Sequence, residues 1–195
     1  MATTKIKQEQ PTLFFETQEK FREWLGDNHS VSDGIWLKFF KKGSGVTSLN
    51  YDQALDEALC YGWIDGQAKS LDEKAYLQRF TPRRKRSMWS QRNREHIERL
   101  TQMGKMTPSG TSEVERAKAD GRWETAYASP ANTVPPEDFL AELKKNKKAE
   151  EFFNTLNKTN TYAIIWQIQN AKKPETRARR IQKFITMLQK GEKLL

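Results

Sequence analysis

The chain has 195 residues and a mass of 22.8 kDa, room for one large domain or two small ones. Aromatic residues make up 11% and charged residues 30%, too many large rings for a disordered chain and enough charge for a polar surface. No run of about 18 apolar residues exists to span a membrane. The opening MATTKIKQEQP has no apolar stretch of the signal-peptide kind. The single Cys60 permits no internal disulfide, and His29 and His96 lie too far apart in sequence to make a zinc cluster. The expectation is a cytoplasmic protein with no metal and no cofactor, its oligomeric state open.

The net charge of +9 is unevenly spread. Residues 79–99 hold eight Lys/Arg against Glu95 and Glu98, and residues 172–195 hold eight against Glu175 and Glu192. Each segment carries +6, which leaves the rest of the chain at −3. Two short segments make the protein basic, and an anionic partner follows from them.

In chain order, residues 1–10 read as a disordered start. Thr17 can cap a helix through about Asn28, with Phe21, Trp24 and Leu25 on one face. In IWLKFFK both alternating sets carry large apolar groups, which predicts a strand covered on both sides. Ser48 or Asn50 caps a helix YDQALDEALCYG whose inner stripe is Tyr51, Ala54, Leu55, Ala58 and Gly62. WIDGQAK and KAYLQRFT read as a hairpin about the turn SLDE, ended by Pro82. Ser87 or Ser90 opens a helix through Met103. Ser112 and Glu115 have capping-box spacing for a short helix ending at Gly121.

Residues 129–136 are proline-rich and read as a linker between an α+β domain over 11–128 and a helical domain over 137–195. In the latter, helices are expected over about Glu137–Lys144, Ala149–Leu156 and Thr161–Lys172, followed by a last one capped by Thr176. The fold class is therefore α+β: a small, mainly antiparallel sheet flanked by helices, followed by a C-terminal helical bundle.

The chemistry concentrates in RFTPRRKRSMWSQRN, residues 79–93. A strand ends, four consecutive cations follow, and a helix begins at a serine. A helix start exposes unpaired N–H groups, and forked guanidinium donors fit phosphate or carboxylate oxygens. Arg83 and Arg86 would hold an anion there, Ser87 or Ser90 with the helix amides would cap it, and Trp89 and Asn93 stand beside it. The competing reading pairs these arginines with Asp52, Asp56 and Glu57.

In ALCYGWIDGQ, Trp63 and Asp65 share a strand face with Gln67. A hairpin symmetric about the turn puts Asp65 opposite Arg79, as a cross-strand ion pair or as a group orienting a donor. Cys60 lies off the inner stripe, as a reactive thiol would. Its place at a helix C-terminus near carboxylates disfavours the thiolate. His96 reads as a partly buried helix histidine.

With these motifs the chain resembles the YdeI/OmpD-associated family, also called bacteriocin-protection proteins. The matching segments are IWLKFFKKGSG, ALDEALCYGWIDGQAKSLDE, QRFTPRRKRSMWSQRN, ERLTQMGKMTPSG, KADGRWETAY and AKKPETRARRIQKFITML. The block from about Val134 is similar to the family's C-terminal helical domain. The resemblance implies a link to antimicrobial-peptide resistance or stress and brings no catalytic assignment.

The leading expectation is thus an anion-binding protein rather than an enzyme. Its ligand residues would be Trp63, Asp65, Arg79, Arg83, Arg86, Ser87, Trp89, Ser90 and Asn93. One alternative is an enzyme on a small anionic substrate using Asp65 with Cys60 or His96. The other is a nucleic-acid-binding protein using both basic segments.

Overall fold

A computed structural model describes residues 10–128 and 133–195. Most of the expected disordered start and positions 129–132 of the expected linker lie outside the described residues. Gln10 is held in place, donating from Nε2 to the Asp33 carbonyl at 2.8 Å and accepting from Arg79 Nε at 2.7 Å. The chain forms two compact units, Met1–Tyr127 and Ala128–Leu195.

The first unit is built on a four-stranded sheet of β1 (Thr12–Leu13), β2 (Ile35–Phe40), β3 (Trp63–Ser70) and β4 (Ala75–Pro82) in the order β1-β2-β4-β3. Only the β1–β2 pair is parallel. Between the strands lie α1 (Gln18–Asn28) and α2 (Tyr51–Cys60); α3 (Gln91–Gln102) and α4 (Pro108–Ala119) follow β4. Thr17 caps α1, and Asn50 with Gln53 forms a complete capping box on α2, so two of the orphan N–H groups at that helix start are satisfied.

One core holds Phe21, Leu25, Ile35, Leu37, Phe39, Ala54, Ala58, Trp63 and Phe80. Each such large side chain contributes about 1.5–3 kcal/mol by leaving water. A second core joins Leu55, Leu59 and Cys60 of α2 to Trp89, Ile97, Leu100, Val114 and Trp123. Helix α2 is thus packed on two sides. Cys60 lies outside its first stripe because it faces this second core, where it is fully buried.

Three details depart from the sequence reading. β2 is not covered equally on both sides: Ile35, Leu37 and Phe39 are buried, whereas Trp36, Lys38 and Phe40 are only half-buried. Lys38 between the two rings draws that face toward water. The hairpin turns one residue later than expected, with Ser70 opposite Tyr76, and a bulge between Asp65 and Ala68 shifts the register once more; Asp65 pairs with Phe80, and Arg79 pairs with Trp36 of β2. Helix α4 begins at Pro108 rather than near Ser112. Thr107 accepts from the Gly110 amide, and Pro108 fits the first turn, where its missing N–H costs nothing.

Among the described residues the second unit has four helices: α5 (Glu137–Lys144), α6 (Lys147–Asn154), α7 (Lys158–Gln169) and α8 (Pro174–Gln189). Asn146 and Asn157 cap α6 and α7 a few residues before the expected starts. Pro174 opens α8 from its first turn, so Thr176 lies inside the helix rather than capping it. Phe139, Phe153, Ile164, Ile168, Ile181, Phe184, Ile185 and Leu188 fill the core. No helix of the described residues is long and apolar enough to cross a membrane.

Candidate anion site

The loop from Arg83 to Ser90 joins β4 to α3, and four backbone anchors fix it. The Arg83 amide donates to the Gly62 carbonyl at 3.0 Å, and Ser87 N donates to the Arg84 carbonyl at 2.9 Å. Tyr127 N donates to the Trp89 carbonyl at 3.0 Å, and Gln91 N donates to the Tyr127 carbonyl at 2.9 Å. The segment after α4 is thereby laced onto the loop.

Arg83 is 6% exposed, and its guanidinium carbon lies 3.5 Å from the ring centroid of buried Trp89. Stacking on an indole suits the planar, weakly hydrated guanidinium. Nη1 donates to the Met88 carbonyl at 3.3 Å, whereas buried Nε and Nη2 have no hydrogen-bond partner among the described residues. Burial pulls the Arg83 pKa down to about 10. Glu113, Tyr127 and Asp65 pull the other way, and Arg122 adds to the fall. At neutral pH the group is still a cation.

Arg122 approaches the same loop. Its Nη1 donates to the Ser87 carbonyl at 2.8 Å, and its Nε is 2.7 Å from Asp120. Its buried Nη2 has no partner among the described residues, and neither does Trp89 Nε1. Trp89 meets Trp123 edge to face at 5.0 Å. The neighbourhood is therefore rich in donors that lack acceptors. Each such group, buried and unsatisfied, costs about 1–3 kcal/mol, more where it is charged. An acceptor with several oxygens is the chemical complement.

The structure brings only some of the expected residues to this place. Arg86 is exposed on the loop with Arg84 and Lys85, and the three make no ion pair among the described residues. Ser87 Oγ accepts from Arg84 N, and Ser90 Oγ accepts from Asn93 N as the cap of α3. Buried Asn93 is the third residue of that helix. The Tyr127 carbonyl and the Ser90 hydroxyl thus take two of the first three helix amides, so the loop's side chains are the free donors.

Trp63 stands in the first core with Nε1 bonded to the His29 carbonyl at 3.0 Å. Asp65 accepts from the Tyr51 hydroxyl at 2.8 Å, not from Arg79. Burial, then Asp65, raises the Tyr51 pKa well above its ordinary value. Arg79 is bound to Gln10.

The expected acid partners are divided. Arg92 pairs with Asp52 at 2.7 Å and Arg99 with Asp56 at 2.6 Å, while Glu57 goes to Arg22 at 2.7 Å. His96 Nδ1 lies 2.7 Å from Asp56. Burial pushes the Cys60 thiol up to about 11, with Glu57 adding to the rise and Arg22 opposing it. Neither Cys60 nor His96 hydrogen-bonds Asp65. A separate cleft of about 300 Å³ is lined by Gln18, Glu19, Arg22, Glu57, Gly104 and Lys105, and its buried Glu57 is fully engaged by Arg22 and Gln18. No group of three His, Cys, Asp or Glu among the described residues is placed to hold a metal.

Arg122 and Glu113 were not among the sequence candidates. The signal for the first was present in GRWETAY: a glycine ending a helix, then an Arg–Trp pair. Sequence spacing gives no hint that this pair folds onto the Arg83 loop.

Residues 13–113 match the family described as a domain of unknown function (DUF8412), and residues 132–191 match the one described as Bacteriocin-protection, YdeI or OmpD-Associated. No curated protein and no solved structure matches. The Arg83 loop falls inside the first match, and Arg122 lies between the two. The chain belongs to the DUF8412 family and carries a YdeI/OmpD-associated, bacteriocin-protection domain over residues 132–191.

Proposed function

We propose that the protein binds a small oxyanion, a phosphate or carboxylate group, between Arg83, Arg122 and Trp89. The observation that carries this reading is Arg83 itself: a buried cation stacked on an indole, with two guanidinium nitrogens unpaired and no carboxylate bonded to it. A native protein that keeps such a group without a carboxylate partner carries a standing destabilisation, and an anionic ligand would offset it. Exposed Arg84, Lys85 and Arg86 draw the anion in, and the 84–88 turn opens to admit it.

A cytoplasmic setting, where phosphorylated metabolites abound, belongs to the same proposal. The YdeI/OmpD-associated match supports a link to bacteriocin protection, and a role in stress belongs to the same proposal. At +9 the protein repels cationic peptides, so protection would run through the anionic ligand and not through capture of the peptide.

The experiment is a thermal-shift and calorimetric titration with inorganic phosphate, mononucleotides and short carboxylates, on wild type and on Arg83→Met. A phosphate-bearing ligand should raise the wild-type melting temperature and leave the variant unmoved. If no oxyanion stabilises the wild type, or if the variant binds equally well, the reading is lost.

A further inference from the structure

The two faces of the sheet differ in kind. Trp36, Phe40, Ala75 and Leu77 belong to none of the three hydrophobic clusters, although their strand neighbours Ile35, Phe39 and Phe80 are central to the first. Cross-strand pairing sets this second face in rows. Trp36 is flanked by Thr12 and Arg79, Leu77 by Lys38 and Lys69, and Phe40 by Ala75. None of these outward positions is Asp or Glu.

The rings on this face are in contact with cations. Lys69 Nζ lies 4.1 Å above the Trp36 ring, and Lys38 Nζ lies 4.7 Å from the Phe40 ring. Phe14, 41% exposed, meets Phe40 edge to face at 5.6 Å. Lysine stems also shield Leu77, which is 4% exposed. The sheet thus presents flat rings interleaved with cations.

We propose that this face is a stacking platform for single-stranded nucleic acid, with bases on Trp36 and Phe40 and phosphates on Lys38, Lys69 and Arg79. Every base has a π-face, and stacking on an aromatic ring outweighs an exposed lysine's cation–π contact. An arriving base displaces the ammonium from the ring, and the freed lysine takes the adjoining phosphate. Trp36 and Phe40 are four residues apart on one strand, about 13 Å, so a short extended strand reaches both. Arg79 keeps its Nε on Gln10 and offers its outer nitrogens.

Base and phosphate are common to RNA and DNA, so the platform takes either sugar. Duplexes keep their bases stacked inside and offer only charge. An acidic peptide would satisfy the cations and leave the rings unused. The site is separate from the Arg83 loop, and its failure would leave the oxyanion reading intact.

The test uses the full chain and fluorescence anisotropy with labelled oligo(dT), oligo(U), a duplex of equal length and an oligoglutamate peptide. Both single strands should bind more tightly than the duplex or the peptide. Trp36→Ala should weaken them about tenfold or more, and Trp36→Tyr should restore most of the loss. The partly or fully exposed changes Lys38→Gln and Lys69→Gln leave the fold in place. Each should reduce the slope of log affinity against log salt by about 0.7. Arg83→Met should bind the strands as wild type does. Equal binding of the duplex or of oligoglutamate would overturn the proposal. So would salt slopes unchanged in both lysine variants, or wild-type affinity in a folded Trp36→Ala protein.

Discussion

The two basic segments carry the same net charge and are wired differently. In residues 172–195, Arg177 grips Asp138 through Nε at 2.5 Å and Nη2 at 2.7 Å and also donates to the Ile168 carbonyl at 3.1 Å. Arg180 donates to the Gln167 carbonyl. These arginines fasten α8 to its neighbours; Asp138 answers the charge of Arg177, while half-buried Arg180 rests on a backbone carbonyl. In residues 79–99, Arg92 and Arg99 are answered in the same way, but Arg83 is buried with its charge unmatched by any bonded carboxylate. The lesson is that the sum of charges on a segment does not mark a site. The cation without a counter-charge does, and only the folded arrangement separates the two.

The largest expected effect comes from removing the unmatched cation. Arg83→Met keeps a stem over Trp89 and removes the charge. Phosphate affinity should fall at least a hundredfold, and the ligand-free protein should gain stability. A pKa drawn from its ordinary value down to about 10 corresponds to roughly 3 kcal/mol of penalty. Guanidinium deprotonates more easily in the folded protein, so the folded state binds fewer protons than the unfolded one above pH 10. Wild type should therefore begin to regain stability as pH rises through that value, and its gap to the variant should narrow by about 1 kcal/mol at pH 10.5. Chemical denaturation at pH 7 and pH 10.5 reads this directly. A variant less stable than wild type at pH 7 would mean that Arg83 is already satisfied.

Next in size is the conversion of the first segment into the second. Ser87→Asp puts a carboxylate where Arg83 and Arg122 meet the loop. It should raise the melting temperature and weaken phosphate binding about tenfold, since an internal acceptor competes with the ligand. Unchanged phosphate binding in this variant would place the anion elsewhere.

A smaller change is expected from Arg177→Ala, which should cost about 1 kcal/mol because both partners are partly exposed. Arg177 holds the Asp138 carboxyl below its ordinary 3.8. The contribution is complete above that value and is lost as pH falls through the lowered folded value. Denaturation curves of wild type and variant should therefore differ at pH 7, and the difference should shrink as pH falls below 3.8. Phosphate binding should not change. Smallest of all, Arg86→Ala should slow phosphate association two- to threefold at low salt and leave it unchanged at high salt, where the Debye length is short.

Local signals made much of the fold legible. Thr17 caps α1 as expected, Asn50 rather than Ser48 caps α2, Ser90 rather than Ser87 caps α3, and the apolar alternation in IWLKFFK marks a strand. Failures arose where a tertiary contact outweighed the local pattern. Ser112 and Glu115 have capping-box spacing, but Thr107 with Pro108 starts that helix earlier against the end of α2. Cys60 falls off the core when α2 is given a single apolar stripe, whereas the helix packs on two sides. Asp65 does not meet Arg79 because the hairpin turns one residue later than SLDE, pairing Ser70 with Tyr76, and the bulge takes back only one of the two steps lost. In the candidate site, the Arg83–Trp89 proximity was readable from their place in one short loop. Arg122 was not, because nothing local reveals which distant loop a side chain will meet.

Gly110 ties these observations together. A Cβ there would stand 2.2 Å from the Cys60 carbonyl oxygen, which already accepts from Thr107 N and Oγ. The start of α4 is therefore keyed into the end of α2 with no tolerance for one methyl group. From α4 the chain runs through Arg122, which reaches the Arg83 loop, and Trp123, whose amide donates to the Ala117 carbonyl, to Tyr127 on the same loop. An alanine at 110 would tilt the helix and shift its trailing arginine. The grip on an oxyanion would then change through a lever arm whose fulcrum lies in the interior, out of the ligand's reach.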